Sequence, residues 1–361
     1  MKVILSFKNR LSLRSEAVFL LLLGLSTGLL ASKATAQVTF SVQPDTAHRR
    51  VEIRANDQPF TAYIYPESIK KPVLYPLLTS QGAVLTRGFP LDTQPNERVD
   101  HPHHIGMWLN YGNVDGYDFW NNSEAVDPAE KYGTIYHREI VEATGGKQGT
   151  LHVTADWVTS AGDSVLEEDT RFVFVAQGKD TYFIDRITTL TATNGKVSLS
   201  DNKEGMLGIR VSRALELPSD KPAIVTDTDG NPAKEATVNN DGVNGHYRSS
   251  EGIEDAQVWG TRARWMQLSG QVAQQPSAIV ILDHPDNVGF PTYWHARGYG
   301  LFAANPLGQE PLSEGKDTLN FTLEKGKSVT FRYRVVVHAG SPLDDKVIES
   351  IYRDFSHQEQ P

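Results

Sequence analysis

The chain has 361 residues, 44 acidic against 35 basic side chains, and no cysteine. Its formal charge of −9 makes nucleic acid and anionic membrane surfaces poor partners, and the lack of cysteine excludes disulfides and thiolate chemistry. A chain of this length can bury a sizeable core without covalent staples.

Residues 1–36 read as a processing signal. Lys2, Lys8, Arg10 and Arg14 form a basic start, residues 17–30 an apolar run of 14, and Ala34-Thr35-Ala36 an A-x-A cleavage site. The run is short for a membrane span. The expected product is exported, periplasmic or secreted, and begins at Gln37. Residues 1–36 carry those four cations, Lys33 and Glu16, so the remainder has a net charge of −13. No later apolar run approaches membrane length, and no Pro/Ser/Gly linker divides residues 37–361, so one large β domain is expected.

Strand patterns then follow in order. Residues 38–42, 50–54, 61–65 and 73–78 come first, the last interrupted by Pro76. Residues 134–141, 150–159, 164–176 and 181–193 are β-branched and aromatic, with Gly-rich or Asn-rich turns between them. Late in the chain, Leu319, Phe321 and Leu323 alternate with polar residues, Glu324 to Lys327 reads as a turn, and Val329, Phe331, Tyr333 and Val335 alternate again. That pattern predicts a hairpin. One helix is predicted, with Ser341 as N-cap and Pro342 as its first residue. Its stripe of Leu343, Val347, Ile348, Ile351, Tyr352 and Phe355 is expected to pack on the outside of a sheet. Short strands joined by turns indicate an all-β sandwich or barrel.

The chemistry is concentrated in a few polar and aromatic stretches. Asp100-His101-Pro102-His103-His104 holds three of the eleven histidines within four positions. Pro102 biases His101 toward an extended backbone. In an extended run His101 and His103 share one face, roughly 7 Å apart, and His104 takes the other. Two imidazoles on one face can share a proton or bind a divalent metal, although no Glu follows at the short distance that the metal sites of cupins use. Gly106 lets the chain turn or lets another segment approach. Trp108 and Trp120 are candidate platforms for sugar rings. Glu204, between Lys203 and Gly205, is a candidate acid or base. Arg210, Arg262 and Arg297 are candidates for holding an anionic group, with surface arginines flanking a strand as the plainer alternative. Asp283-His284-Pro285-Asp286-Asn287 is a further polar stretch. His295, between Trp294 and Arg297, is the best distal partner for the first cluster. No P-loop, Rossmann, H-E-x-x-H or G-x-S-x-G pattern is present.

Together, His101-Pro102-His103-His104-x-Gly106-x-Trp108, Gly116-x-Asp118-Phe119-Trp120, Lys203-Glu204-Gly205, Trp259-Gly260-x-Arg262-Ala263-Arg264-Trp265, Asp283-His284-Pro285-x-Asn287 and Trp294-His295-x-Arg297 resemble the exported bacterial family labelled "methane oxygenase PmoA". A subunit of particulate methane monooxygenase would span the membrane many times, which this chain does not suggest. The resemblance implies a setting of polysaccharide degradation. The strand-rich architecture and length also look like the galactose mutarotase-like supersandwich, whose members include epimerases, lyases and sugar-binding modules. The leading expectation is a carbohydrate-active enzyme, a glycoside hydrolase, lyase or epimerase. Its catalytic residues would be His101, His103, His104, Glu204 and His295, and its substrate-binding residues Trp108, Trp120, Arg210, Arg262, Trp294 and Arg297. The alternatives are a non-catalytic glycan-binding module and an oxygenase with a metal on His101 and His103. Amino-terminal sequencing of the exported protein should begin at Gln37. A start before Ala34, or recovery in the membrane fraction, would contradict the export reading.

Overall fold

The structure is a computed structural model that describes residues 37–127 and 131–358. The signal-peptide reading lies outside those residues. The chain builds an all-β antiparallel sandwich with a short C-terminal helix. The first sheet runs, from edge to edge, Phe40–Asp45, Arg50–Ala55, Gln58–Ile64, Val73–Leu74, Met107–Leu109, Leu207–Arg210, Leu301–Asn305 and Tyr293–Ala296. The second runs His246–Ser249, Trp265–Val272, Gln275–Asp283, Ser328–Ala339, Thr181–Ala192, Ser164–Gln177, Gln148–Thr159 and Gly133–Thr144. Alternate side chains of both meet in one core, with Ile53, Met107, Ile209 and Phe302 from the first sheet and Phe172, Ile184, Ile279 and Val335 from the second. Among the described residues, no helix is long and apolar enough to cross a membrane.

Three local expectations need correction. The region 73–78 pairs as a strand only at Val73–Leu74, because Pro76 has no N–H to give to a ladder. The late hairpin does not form. A turn closes at Glu324 and Lys327, but Phe321–Leu323 pairs with Val197–Leu199, and Ser328–Ala339 lies between Gln275–Asp283 and Thr181–Ala192. Alternation sets which face is buried, not which strand is the partner. The unbroken buried run Tyr333 to Val337 suits a strand covered on both faces. The helix spans Asp345–Ser356, with Asp344 at the N-cap position. It starts late because Gln267 grips Leu343, accepting from its N–H at 2.8 Å and donating to its carbonyl at 3.2 Å. Its stripe packs outside the second sheet as expected, with Ile348, Ile351, Tyr352 and Phe355 on Phe183, Val280, Leu282 and Val336, while Val347 stays exposed.

The segment carrying the histidines is held by a buried guanidinium. Arg87, 1% exposed, donates through Nη1 to the carbonyls of Arg98 (3.1 Å) and Asp100 (2.8 Å) and to Asp100 Oδ1 (3.0 Å). Its Nη2 donates to the carbonyls of His101 (2.9 Å) and His104 (3.1 Å). Burial, with the Arg210 charge beside it, pulls its pKa down to about 9, so it remains charged at neutral pH. Asp100 supplies the opposing charge and shares the same oxygen with Arg210 Nη2 at 2.6 Å. Removing one partner of a buried, hydrogen-bonded pair leaves the other uncompensated. Arg87→Met should therefore lower the free energy of unfolding by about 3 kcal/mol or more in urea titrations. Arg49→Met, which breaks an exposed pair with Glu67, should cost less than about 1 kcal/mol. Equal losses from the two would contradict this role for Arg87.

Candidate active site

Strand register lines up a row of residues across the first sheet. Trp108 pairs with Gly208, Gly208 with Ala303, and Ala303 with His295. Because side chains alternate, Met107, Leu109, Leu207, Ile209, Phe302 and Trp294 point into the core. Trp108, Arg210, Ala303 and His295 take the outer face. Gly208 leaves room for the Trp108 indole, since a Cβ there would lie 2.6 Å from the ring. Gly106, at φ +57°, turns the chain against Leu74, whose carbonyl oxygen a Cβ would meet at 2.3 Å.

The histidine segment is a turn rather than an extended run. His101 has φ 45°, and the His104 N–H donates to the His101 carbonyl at 3.0 Å. The preference of a residue before proline for extended backbone gives way to the carbonyl contacts of Arg87. In consequence His104 does not point away from its neighbours. Its ring stacks on His101 at 4.9 Å between centroids, and the His103 ring stands edge-on to His104 at 4.4 Å. The other face of His101 stacks on Tyr299 at 5.0 Å. Beneath the cluster, Trp108 stacks on His104, and Trp120 Nε1 donates to His104 Nε2 at 3.2 Å. The Asp118 carboxylate anchors that second tryptophan by accepting from the Trp120 and Asn121 N–H groups.

His104 faces two donors, Trp120 Nε1 and Arg210 Nη1, the latter 3.4 Å from Nδ1. A doubly protonated ring would set N–H against N–H at both nitrogens and a neutral ring at only one, so these contacts favour the neutral form. Burial first, then the charges of His103 and Arg210, hold its pKa well below the usual imidazole range. His103 is pushed down to about 2, by burial and then by the Lys71 charge, and its buried Nε2 has no hydrogen-bond partner among the described residues. Asp100 Oδ2 lies 3.3 Å from His101 Nδ1. Burial works to raise the Asp100 pKa, but the His101 imidazole close beside it and the Arg210 and Arg87 charges outweigh it and hold the carboxyl far below its ordinary value.

A second carboxylate–imidazole contact lies on the same face. Glu204 Oε2 is 3.7 Å from Nδ1 of His295, which is 2% exposed. Asn305 positions the Glu204 loop by donating to the carbonyls of Asn202 (2.8 Å) and Lys203 (2.9 Å). The Glu204 N–H in turn donates to Asn202 Oδ1 at 2.9 Å. Lys203 Nζ contacts the other Glu204 oxygen. Burial, helped by the Arg297 and Lys203 charges, pushes His295 down to about 3. Its unfolded pKa is about 6.5, so the unfolded chain takes up a proton first. The stability that neutral His295 contributes is present above about pH 6.5 and is lost as the pH falls toward about 3. Arg297 lies over the Trp259 ring at 4.6 Å.

His101, His103, His104 and Arg210 are thus in direct contact, with His295 on a strand of the same face and Glu204 on the loop beside it. The expected platforms are different. Trp108 and Trp120 have no exposed surface, so they support the histidines and offer no face to a sugar. Trp294 points into the core, as the neighbour of outward-facing His295 must, and donates to the Ala263 carbonyl at 3.1 Å. Arg262 gives its donors to the carbonyls of Gly289, Phe290 and Pro291 and takes no part in the cluster. Arg210 is fully buried and holds Asp100, not a ligand. Among the described residues, no group of three or more His, Asp or Glu side chains could hold a metal, so the metal reading of His101 and His103 lacks a third ligand.

Two participants carry no signal in the sequence. Arg87 sits in an ordinary strand-like context. Lys71, which adjoins Lys70 in the sequence, is buried, donates to the His103 carbonyl at 2.7 Å and lies 5.4 Å above the Trp108 ring. Burial lowers its pKa to about 7 against the pull of Asp118. A cleft of about 380 Å³ runs past Lys71 and His103 between Leu91 and Glu124.

Comparison with curated proteins finds no match. Solved structures that resemble the chain include a β-arabinopyranosidase, 11% identical over 84% of this chain at TM-score 0.31, of which the chain spans 38%. A glycoside hydrolase family 97 enzyme from Pseudoalteromonas sp. strain K8 is 9% identical over 84% of this chain and 34% of its own, at TM-score 0.30. A galactose mutarotase related enzyme from Lactobacillus acidophilus is 9% identical over 84% of this chain and 98% of its own, at TM-score 0.27. At such scores these likenesses bear on neither activity nor ligand. One family profile covers residues 50–353, and its description is not the PmoA label: the chain belongs to the family of unknown function DUF6807.

Proposed function

We propose that the chain is an exported carbohydrate-active enzyme, of hydrolase, lyase or epimerase type, that moves protons with the imidazoles on the outer face of the first sheet. The observation that carries this reading is the presence of two carboxylate–imidazole contacts on that face, Asp100 with His101 and Glu204 with His295. In each, the carboxylate lies beside Nδ1. Neither Nδ1 has a hydrogen-bond partner among the described residues, so each carboxylate acts through its charge, stabilising the imidazolium that forms when the ring takes a proton. His295, 2% exposed, is held neutral by burial and can accept a proton at pH 7 only where the nearby Glu204 charge offsets the cost of the buried imidazolium.

Arg87 and Arg210 are positioning residues in this account. Arg297, half-buried beside Trp259, is the guanidinium left to meet a substrate. Interspersed donors and acceptors, together with the partly exposed His101–Tyr299 stack, suit a polyhydroxylated ligand. A binding module built on Trp108 and Trp120 loses support, because neither ring has exposed surface.

Incubation with a panel of oligosaccharides, read by mass spectrometry of the products, should reveal turnover. His101→Asn and His295→Asn should each lower kcat/KM by about 100-fold or more, with circular dichroism and thermal unfolding close to wild type. Wild-type turnover by a chain carrying both His101→Asn and Glu204→Gln would remove these residues from the mechanism.

A further inference from the structure

The outer face of the second sheet has its own cavity, of about 250 Å³, beside the end of the C-terminal helix. None of the residues lining it belongs to the acid–base site. We infer that this cavity binds a carboxylate-bearing sugar unit, a uronate, at a second site separate from the imidazole cluster.

Register builds the floor. His152, Arg171, Ile187 and Arg332 form one row across four strands. Asp169, Thr189 and Thr330 form the next row on the same face. The stretch around His284, which the acid–base site leaves unused, supplies one wall, and Phe355 of the helix supplies another.

The charges are unevenly matched. Asp185 is engaged by Arg334 through two hydrogen bonds of 2.6 and 2.7 Å. Asp169 holds His152 Nε2 at 2.9 Å, and Arg171 reaches Glu142 only at 3.3 Å. Among the described residues, no carboxylate lies within ion-pair distance of Arg332, and its buried Nε lacks a hydrogen-bond partner. A guanidinium fork with free donors matches a carboxylate, and Arg171, two strands away on the same row, adds a second positive charge.

The remaining surface selects a sugar over a bare anion. The Thr189 and Thr330 hydroxyls lie 2.9 Å apart and can serve ring hydroxyls. Ile187 and Phe355 offer an apolar surface to the C–H face of a pyranose. Sulfate or phosphate would engage the arginines and leave the hydroxyls and Ile187 uncovered. The volume falls just below the range of about 300–1,000 Å³ typical of drug-sized ligands, which fits one sugar unit.

Isothermal titration of the full chain with sodium glucuronate, sodium galacturonate, glucose and sodium sulfate tests the assignment by binding alone, so it stands or falls apart from any turnover. A uronate should bind, and glucose and sulfate should bind at least tenfold more weakly. Arg332→Gln should weaken uronate binding at least tenfold. Arg171→Gln should weaken it several-fold with the thermal transition unchanged. His101→Asn should leave it unaltered. Tighter binding of an oligouronide would assign the end of an acidic polysaccharide as the source, and equal binding the free acid. No binding of either uronate, equal binding of sulfate, indifference to both arginine substitutions, or loss on His101→Asn would overturn the inference.

Discussion

A guanidinium buried in a protein interior needs an opposing charge and acceptors for its donors, and in this chain Arg87 imposes that requirement on the residues around it. Its acceptors are the carbonyls of Arg98, Asp100, His101 and His104 and the carboxylate of Asp100. To supply them the chain must turn back on itself between Asp100 and His104, and the turn brings three imidazoles together. Asp100 then links Arg87, Arg210 and His101 into one charge network. The frame is costly in desolvation, and it holds the imidazoles in fixed relative positions over the Trp108 and Trp120 rings.

The sandwich puts its two outer faces to different uses. The outer face of the first sheet carries Arg210 and His295 on short strands, whose alternation separates His295 from core-facing Trp294, with His101, His103, His104 and Glu204 on the loops beside them. The outer face of the second is covered partly by the Asp345–Ser356 helix and partly by a polar field of arginines, threonines and histidines. The common core between the sheets sets both faces, because each buried side chain fixes the outward direction of its neighbour.

Much of this was legible in the residues. β-Branched and aromatic runs at 134–141, 150–159, 164–176 and 181–193 marked the long strands, and helical spacing marked the stripe Ile348, Ile351, Tyr352 and Phe355. The density of histidines picked out His101, His103 and His104, and His295 and Glu204 fell on the same face. Pairing was not legible: Phe321–Leu323 finds Val197–Leu199, more than 100 positions away, and alternation carries no information about partners. Nor was the direction of an aromatic side chain. Trp108, Trp120 and Trp294 have the composition of a sugar platform, but each is buried, two beneath the imidazoles and one in the core. Arg87 and Lys71 escaped notice because nothing local separates a buried cation from a solvated one. Their roles follow from carbonyls that loops bring to them.

The account depends on imidazoles kept uncharged by burial and by neighbouring positive charge. Nitrogen-15 NMR titration of the histidine rings from pH 5 to pH 8 reads that state directly and needs no substrate. The His103, His104 and His295 rings should stay neutral throughout, since the first is held at about 2, the last at about 3, and His104 well below the ordinary imidazole value. Protonation of any of the three with a midpoint near the unperturbed value of about 6.5 would contradict the buried, neutral cluster on which the proposed chemistry stands.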